Sequence, residues 1–349
     1  MTKLFDPIKV GDLTLPNRVF MAPLTRQRAS EGRVPNELMR DYYIQRASAG
    51  LILSEATAVT PMGVGYADTP GIWSDEQVEG WKLVTKGVHD AGGHIFLQLW
   101  HVGRISDPYF LDGQLPVAPS AIAANGHVSL LRPQRPYVTP RALDLREIPG
   151  VISAFRTGAI NAQRAGFDGV EIHGANGYLL DQFLQDGTNK RTDDYGGPIE
   201  NRARLMLEIT DAAISIWGAD RVGMHLNLRG DSHSMSDSDP AATFGYVAKE
   251  LGQRKIAFLV GCESLLAPRI GPSVRKAFGG VYVANDQLTK DSAEKLLADG
   301  EADAVAFGKA FISNPDLPKR LKTNAPLTEW DSSTFYAAGA KGYVDYPSL

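Results

Sequence analysis

The chain has very little cysteine, no strong excess of charge of either sign and no long apolar run. Its 349 residues include a single cysteine, Cys262, which excludes an intramolecular disulfide and any zinc site or iron–sulfur cluster that needs several thiolates from one chain. A net charge of −4, with the two signs interspersed, provides no basic patch for nucleic acid or for an anionic membrane. No apolar run approaches the roughly 20 residues of a membrane span, and no basic-then-apolar signal segment is present. We therefore expect a cytoplasmic protein whose partners are small molecules.

Low-complexity sequence is also lacking, and the composition is typical of a globular protein. Hydrophobic residues make up 43% of the chain and charged residues 22%. A chain of this length forms either two ordinary domains or one large α/β barrel. Neither composition nor charge changes abruptly along the chain, so we expect residues 1–349 to form one domain.

Short β-type segments recur along the chain with helical patterns between them. Eight such segments are present: Val19–Thr25, Leu51–Thr57, His94–Trp100, Gly169–His173, Val222–Leu226, Ile256–Cys262, Gly280–Ala284 and Ala302–Gly308. Helical patterns, most of them ending near a glycine, include Asn36–Ala49, Asp75–Ala91, Ile148–Ala165, Glu200–Ile216, Ala241–Leu251 and Lys290–Asp299. Strands that alternate with helices form parallel βαβ units, and eight units close into a (β/α)8 TIM barrel.

Two regions interrupt this alternation. Residues Leu4–Arg18 form a hairpin pattern with a turn at Gly11-Asp12, and we expect this hairpin to close the N-terminal bottom of the barrel. Residues 102–143, which follow the third strand, are rich in proline and glycine and too long for an ordinary barrel loop. We expect this segment to lie over the catalytic face as a lid.

The segment from Gly169 to Tyr178 is the first candidate for the active site. Its apolar run opens into a glycine-rich turn that carries His173, Asn176 and Tyr178, and barrels place their ligands at the C-terminal ends of strands. A histidine and an amide can hold a substrate oxygen, while a phenol with a usual pKa of about 10 is available as a proton donor. The alternative is an ordinary polar loop that caps the next helix, and this motif alone does not decide between them.

The other predicted strand ends carry amide, hydroxyl and aromatic groups with few carboxylates. A glycosidase needs two facing carboxylates and a metal hydrolase needs several histidine or carboxylate ligands, so hydrolysis is disfavoured and no metal is expected. Thr25, Gln98 and Trp100 are suited to holding a flat heterocycle, although a buried Gln98 taken alone is more often a satisfied core amide than a ligand-binding residue. Gly308-Lys309, after the eighth strand, is a candidate phosphate site, whereas Asn285-Asp286 after the seventh fits only if the Asp286 carboxylate points away from the phosphate.

These motifs together resemble the old yellow enzyme family of FMN-dependent reductases, whose fold is an eight-stranded α/β barrel. The resemblance runs essentially end to end and includes His-Gly-Ala-Asn-Gly-Tyr at residues 173–178. Other matching motifs lie at Leu4–Pro7, Leu15–Arg18, Met21–Arg26, Gln98–Arg104, Pro119–Ser120, Pro140–Leu143, Thr192–Gly197, Glu200–Arg202, Ala306–Gly308, Asn314–Leu317 and Gly342–Pro347. The chain is most similar to bacterial members that reduce enones, nitrate esters and nitroaromatics.

The resemblance implies a set of site residues and a reaction. Non-covalent FMN is the expected cofactor and NAD(P)H the reductant, and Tyr178 would protonate a substrate held by His173 and Asn176. The residues expected to bind the cofactor are Pro23, Leu24, Thr25, Ala56, Gln98, His173, His225, Asn285, Gly308, Lys309, Phe335 and Tyr336. Those expected to line the substrate pocket are Thr25, Tyr66, Trp100 and Arg141.

Two departures from the family pattern concern the charge around the flavin. Many relatives carry an arginine facing the flavin N1 region where this chain has His225, and Lys309 stands where arginine is frequent. Histidine titrates near neutral pH whereas arginine stays charged, so we expect an altered flavin potential or pH dependence. Arg229 could partly substitute for the missing charge if its loop folds back, which the sequence does not decide.

The leading hypothesis is an NAD(P)H-dependent ene-reductase that uses FMN and also reduces nitrate esters or nitroaromatics. One alternative is a flavin-binding protein with little turnover, which His225 would favour. Another is a flavin-free phosphate-binding barrel lyase, although such an enzyme typically needs a Schiff-base lysine or a metal. The sequence leaves open the physiological substrate, the choice between NADPH and NADH, and whether the protein is a monomer or a homodimer.

Overall fold

A closed barrel of parallel strands forms the centre of the computed structural model, which describes residues 3–266 and 268–349. Two strands precede the barrel as an antiparallel hairpin, β1 (Ile8–Val10) and β2 (Leu13–Leu15). The barrel strands are β3 (Val19–Met21), β4 (Ile52–Leu53), β5 (Thr57–Ala58), β6 (Ile95–Trp100), β9 (Gly169–Gly174), β10 (Val222–Asn227), β11 (Phe258–Cys262), β12 (Tyr282–Asn285) and β13 (Ala304–Phe307). A short parallel pair outside the barrel consists of β7 (Val117–Ala118) and β8 (Arg141–Ala142).

The predicted eight-stranded barrel is confirmed. Strands β4 and β5 both pair with β6 and are separated by residues 54–56, so they form one interrupted strand. The last strand, β13, pairs with the first, β3, and this pairing closes the sheet on itself. All eight predicted β-type segments therefore overlap a barrel strand.

The helices surround the barrel and lie where the six predicted patterns placed them, with four short additions. The helices are α1 (Glu37–Ile44), α2 (Asp75–Asp90), α3 (Ile148–Arg164), α4 (Leu179–Leu184), α5 (Ile199–Trp217), α6 (Pro240–Gln253), α7 (Gly271–Phe278), α8 (Lys290–Ala298), α9 (Lys309–Ser313) and α10 (Leu317–Thr323). Short 3-10 helices lie at Glu31–Arg33, Pro61–Gly63, Pro108–Phe110, Leu145–Glu147, Ala219–Arg221, Ser232–Ser234 and Ser332–Thr334. Among the described residues, no helix is both long enough and apolar enough to cross a membrane.

Helix α1 ends earlier than the pattern Asn36–Ala49 predicts. After Ile44 the chain continues in tight turns, with the Arg46 N–H donating to the carbonyl of Tyr43. The buried Arg46 guanidinium donates to the carbonyls of Phe311 and Ile312, so the end of α1 is fixed by a contact with α9 that the local pattern does not contain.

The barrel interior changes from apolar at the bottom to polar near the catalytic face. Side chains alternate along a strand, so β6 points Phe96 and Gln98 inward and β9 points Glu171 inward. The Phe96 and Phe258 rings lie 5.6 Å apart in the apolar layer. Glycine at position 169 leaves room for the Phe96 ring, because a Cβ at this position would lie 2.4 Å from that ring. The polar residues above this layer therefore lie on a buried apolar base.

The hairpin β1–β2 packs against the apolar bottom of the barrel, as predicted. Ile8, Val10 and Leu15 belong to the same buried cluster as Phe96 and Phe258. At roughly 25 cal/mol for each Å² of buried apolar surface, three such side chains contribute several kcal/mol to the stability of this end of the barrel.

Residues of segment 102–143 pack at the opposite end of the barrel. Val128 and Tyr137 pack with Trp100 and Tyr66 in a buried cluster above the barrel. The buried Arg104 guanidinium donates to the carbonyl of Ile122, 2.9 Å away, within the same segment. This segment therefore forms part of the roof of the catalytic face.

Candidate active site

Two adjoining cavities lie over the C-terminal ends of the barrel strands. The smaller, about 100 Å³, is lined by Pro23, Thr25, Ala56, Gln98, His173, Asn176, Tyr178 and His225. The larger, about 500 Å³, is lined by Pro23, Leu24, Thr25, Arg26, Gln27, Tyr66, Ser129, Leu130, Tyr178, His233, Lys309, Ile312, Phe335 and Tyr336. Every residue of the smaller cavity was predicted from the sequence as a site residue. Shared lining by Pro23, Thr25 and Tyr178 makes the two cavities neighbouring parts of one site.

His173, at the end of β9, presents a defined hydrogen-bond donor. The Ala175 N–H donates to His173 Nδ1 at 3.3 Å, so the proton of the neutral ring is on Nε2. Burial lowers the pKa of His173 well below its usual range, and the neighbouring His225 and His233 lower it further. At neutral pH, His173 is therefore an uncharged imidazole that donates through its Nε2–H.

Asn176 presents a second donor because its carbonyl oxygen is already occupied. The Asn227 amide, at the end of the neighbouring strand β10, donates to Asn176 Oδ1 at 2.9 Å. Asn176 has a φ of +57°, which turns the chain sharply after β9, and the next N–H, from Gly177, donates to Asp181. The turn thus leaves the Asn176 amide N–H groups for a ligand.

Tyr178 lies beside these donors and is held by a second phenol. The hydroxyls of Tyr178 and Tyr66 lie 2.9 Å apart, and the Tyr178 ring is 5.0 Å from the His173 ring. Burial raises the pKa of Tyr178 and of Tyr66 well above the usual range for a phenol. Both side chains therefore keep their protons at neutral pH.

Trp100 supports the site from behind rather than lining it. Its fully buried ring packs on Tyr66 at 5.5 Å, meets Tyr178 edge-on at 5.0 Å and lies 6.4 Å from His173. Aromatic pairs in such geometries each contribute about 0.5–1.5 kcal/mol beyond the area they bury. The sequence analysis placed Trp100 in the pocket. In the structure it packs behind the residues that face the pocket.

The region predicted to hold a phosphate is divided between two cavities. Lys309 lines the larger of the two site cavities, and Gly308 packs beside Leu24. Asn285 donates its amide to the Ala306 carbonyl at 2.9 Å. Asp286, at a φ of +107°, lines a separate cavity with Asn227 and Arg229. Asp286 and Lys309 therefore line different cavities.

Phe335 and Tyr336 reach the site from the other end of the chain. Arg26, just after β3, donates to the carbonyls of Phe335 and Gly342 at 3.0 and 2.7 Å. The Arg26 guanidinium also lies 5.1 Å from the centre of the Tyr343 ring. This buried arginine therefore fixes the C-terminal aromatic residues over the larger cavity.

The structure does not bring Arg141 to the pocket, contrary to the sequence-based expectation. Its guanidinium makes two hydrogen bonds to Glu147, at 2.6 and 2.9 Å, on an exposed surface. A short capping pattern at Asp144–Glu147 directs this pair, because Glu147 also accepts the Asp144 N–H. Arg229 likewise lines the cavity that contains Asp286 rather than the two site cavities.

His233, Asn227 and Glu171 are site residues that the sequence analysis missed. His233 has a φ of +57°, its ring lies 5.3 Å from the Tyr178 ring, and its Nδ1 is 2.7 Å from the Asn176 carbonyl oxygen. Alternation along β9 and β10 was an available signal for the other two, since Glu171 shares a face with His173, and Asn227 with His225. No local pattern indicates the return of His233 to the site.

Fold and site together are those of a flavin-dependent oxidoreductase with a TIM barrel. The residues fit a flat heterocycle, since Gln98 Oε1 is buried and has no hydrogen-bond partner among the described residues. Such an orphaned acceptor suits the edge N–H of an isoalloxazine ring above it.

Comparison with known proteins identifies the family. The model of the NADH:flavin oxidoreductase / NADH oxidase family matches residues 3–328, and the chain belongs to this family. It is 42% identical to 12-oxophytodienoate reductase 1 of Oryza sativa subsp. japonica, with 99% of this chain and 93% of the relative covered. The old yellow enzyme homologue of Zymomonas mobilis has a TM-score of 0.97 at 46% identity, covering 100% of both chains. Morphinone reductase in complex with tetrahydroNAD also has a TM-score of 0.97, at 48% identity, covering 100% of this chain and 98% of that one.

The protein is therefore an NAD(P)H-dependent flavin oxidoreductase with FMN as its cofactor. The flavin-free barrel lyase, one of the alternatives left open by the sequence, is excluded. Family membership and the unpartnered Gln98 Oε1 in the smaller cavity both indicate a flavin.

Proposed function

We propose that the protein reduces the activated C=C bonds of α,β-unsaturated carbonyl compounds and nitroalkenes, using electrons from NAD(P)H. Nitrate esters and nitroaromatics are further candidate acceptors, because their oxygens suit the same N–H donors. The observation that carries the proposal is the convergence of two neutral donors, His173 Nε2–H and Asn176 Nδ2–H, beside the phenol of Tyr178. Two of the similar proteins, 12-oxophytodienoate reductase 1 and morphinone reductase, are named as reductases of carbonyl compounds, which supports this substrate class.

His173 and Asn176 would bind the carbonyl or nitro oxygen of the substrate. Two donors withdraw electron density from the conjugated double bond and stabilise the negative charge that develops on the oxygen. Removing one comparable donor in an acyl-transfer enzyme costs about 10²–10³ in rate, so this pair is expected to supply several kcal/mol. FMN bound in this site would supply the hydride chemistry that links NAD(P)H to the β carbon of the substrate.

Tyr178 would donate the proton that completes the reduction at the α carbon. Its phenol is neutral because burial raises its pKa, and the Tyr66 hydroxyl at 2.9 Å can donate to the oxygen that loses the proton. The β carbon gains hydride and the α carbon gains a proton, so the product is the saturated carbonyl compound. Thr25, Gln98 and His225, which line the smaller cavity, would bind the flavin ring, and Lys309 would bind its phosphate.

Phenol binding to the FMN-loaded protein tests the two donors directly, because the phenol oxygen can accept hydrogen bonds from both. Replacing both His173 and Asn176 by alanine should weaken phenol binding at least tenfold, measured by the change in flavin absorption, while FMN stays bound. The matched control is Arg141→Ala, because the structure pairs this arginine with Glu147 away from the cavities. Unchanged phenol affinity in the double variant would contradict the assignment, and so would an equal loss in the control.

A further inference from the structure

A buried carboxylate lies beneath the proposed flavin position and takes no part in the reaction described above. Glu171 is fully buried at the middle of β9, beside Gln98 on β6. On β10 its register partner is Gly223, and His225, two residues further along, lies within 3.6 Å of its carboxylate. Gln98 and His225 line the smaller cavity, whereas Glu171 lies below them. Burying a carboxylate is costly unless hydrogen-bond donors or a charged partner meet its oxygens.

Glu171 contacts both of its neighbours, one with each carboxylate oxygen. Gln98 Nε2 donates to Glu171 Oε2 at 2.7 Å, which leaves Gln98 Oε1 free to face the cavity. Glu171 Oε1 lies 3.6 Å from His225 Nδ1. Glu171 Oε1 and His225 Nδ1 have no hydrogen-bond partner within the described residues. The carboxylate therefore sets which atom of the amide, and which nitrogen of the imidazole, meets a ligand.

Among the groups described around the His225 ring, Glu171 is the one acidic side chain, and the other neighbours are uncharged. His173, on the same strand as Glu171, lies 5.9 Å from the His225 ring and is neutral because burial lowers its pKa. Tyr178 lines the same cavity and is neutral because burial raises its pKa. On the other side, β11 places the uncharged Val260 beside His225. A carboxylate near an imidazole stabilises the protonated form of that ring.

We infer that Glu171 is a positioning residue of the flavin floor, and that the Glu171–His225 pair takes up one proton when the flavin is reduced. With Nδ1 turned toward Glu171, His225 presents Nε2 to the cavity. A bare Nε2 is an acceptor beside the oxidised ring, and a protonated Nε2 is a cationic donor beside the more negative reduced ring. This inference rests on the proposed placement of FMN.

The proton and electron balance of the step is complete. NAD(P)H delivers two electrons and one proton as a hydride and leaves as NAD(P)⁺. A second proton passes from water to His225 Nε2, on the ring whose Nδ1 lies 3.6 Å from Glu171 Oε1. When the flavin is oxidised by an acceptor, His225 returns this proton to water. Two protons, rather than one, therefore accompany each pair of electrons.

The test is the pH dependence of the midpoint potential of bound FMN, measured by spectroelectrochemical titration of the holoenzyme between about pH 6 and 9. The unmodified protein should show the slope of two protons per two electrons over at least one pH unit. His225→Arg, whose charge is permanent, should show half that slope. Glu171→Gln should also show half the slope, with the reduced flavin bound at least tenfold more weakly relative to the oxidised form, or about 30 mV for a two-electron couple.

A proton count on the unmodified holoenzyme gives an independent answer if the Glu171→Gln protein does not fold. Electrochemical reduction in weak buffer with a pH indicator should consume two protons per flavin near neutral pH. One proton per flavin, or a slope unchanged by Glu171→Gln, would overturn the inference while leaving the reductase function in place. Failure of the unmodified protein to take up FMN at all would instead overturn the proposed function.

Discussion

At the residue scale, burial keeps the polar side chains at the centre of the proposed site neutral. The pKa of His173 is lowered, and the pKa values of Tyr178 and Tyr66 are raised, in each case mainly by loss of solvent. A donor that remains neutral binds a carbonyl oxygen without attracting an anion strongly, and it keeps its role over a wide pH range.

Replacing the phenol of Tyr178 should separate the two halves of the reaction. Tyr178→Phe is expected to slow enone reduction by about 10²–10⁴, the usual range for a lost general acid, while reduction of the flavin by NAD(P)H continues at its normal rate. Anaerobic stopped-flow measurement of each half-reaction checks this. Tyr66→Phe, which keeps the Tyr178 proton, is the matched comparison and should have a much smaller effect. Equal losses in both half-reactions for Tyr178→Phe would remove its role as the proton donor.

Glu55, close to the site but facing the protein interior, should make stability depend on pH. Burial raises its pKa to about 7 from an ordinary 4.5, opposed by the N–H and charge of Arg26. A folded-state pKa above the unfolded value means that the folded state holds the proton more tightly. Its favourable contribution is present below about pH 4.5 and is lost as pH rises through about 7, a change of about 3 kcal/mol.

Glu55→Gln should remove this loss, because the amide imitates the protonated carboxyl. Relative to the unmodified protein, the variant should gain stability as pH rises from about 5 to 8, measured by urea unfolding at each pH. Glu79→Gln, on the exposed surface of α2, is the control and should show a flat difference. A flat difference for Glu55→Gln as well would mean that Glu55 is ionised throughout this range.

At the element scale, buried arginines hold the irregular segments over the barrel. Arg104 donates 2.9 Å to the carbonyl of Ile122 and 2.8 Å to that of His233, so it links segment 102–143 to the loop after β10. Arg26 does the same for the C-terminal segment. Hydrogen bonds from a charged donor are worth about 1.5–3 kcal/mol each, enough to keep such segments closed without regular secondary structure.

Arg104→Met should therefore loosen segment 102–143 while the barrel stays folded. We expect proteolytic cleavage near residues 125–135 to become at least tenfold faster, with FMN content unchanged, because local opening no longer breaks two charged hydrogen bonds. Arg132→Met is the control, since that side chain donates only locally, to the Leu131 carbonyl, from an exposed position. Cleavage at the unmodified rate in Arg104→Met would mean that apolar packing alone holds the segment.

The elements were largely predictable because local sequence determines most of them. Each barrel strand is a short apolar run, and the C-terminal ends of parallel strands meet at one face, so the sequence alone was enough to group His173, Gln98 and Thr25. Helix α4 was missed because all six of its residues are buried, which removes the amphipathic period that identifies a helix. Arg141 was misplaced because its partner, Glu147, lies in a local capping turn outside the site.

At the scale of the whole molecule, the site is assembled from the entire length of the chain. Arg26 meets Phe335 across 309 positions, and the first barrel strand pairs with the last. Contacts of such sequence separation cannot be derived from local periodicity, which is why the placement of His233 and the support role of Trp100 emerged only in the folded structure. The same long-range closure makes the flavin site dependent on a complete barrel.

The central claim is that this barrel carries FMN and passes electrons from NAD(P)H to an enone. The most direct test is the visible absorption of the purified protein under anaerobic conditions, recorded before and after NADPH or NADH and again after 2-cyclohexenone. The account predicts a yellow protein that bleaches with the nicotinamide and regains its colour with the enone. A protein that stays colourless after addition of FMN, or that bleaches and never recovers its colour with the enone, would contradict it.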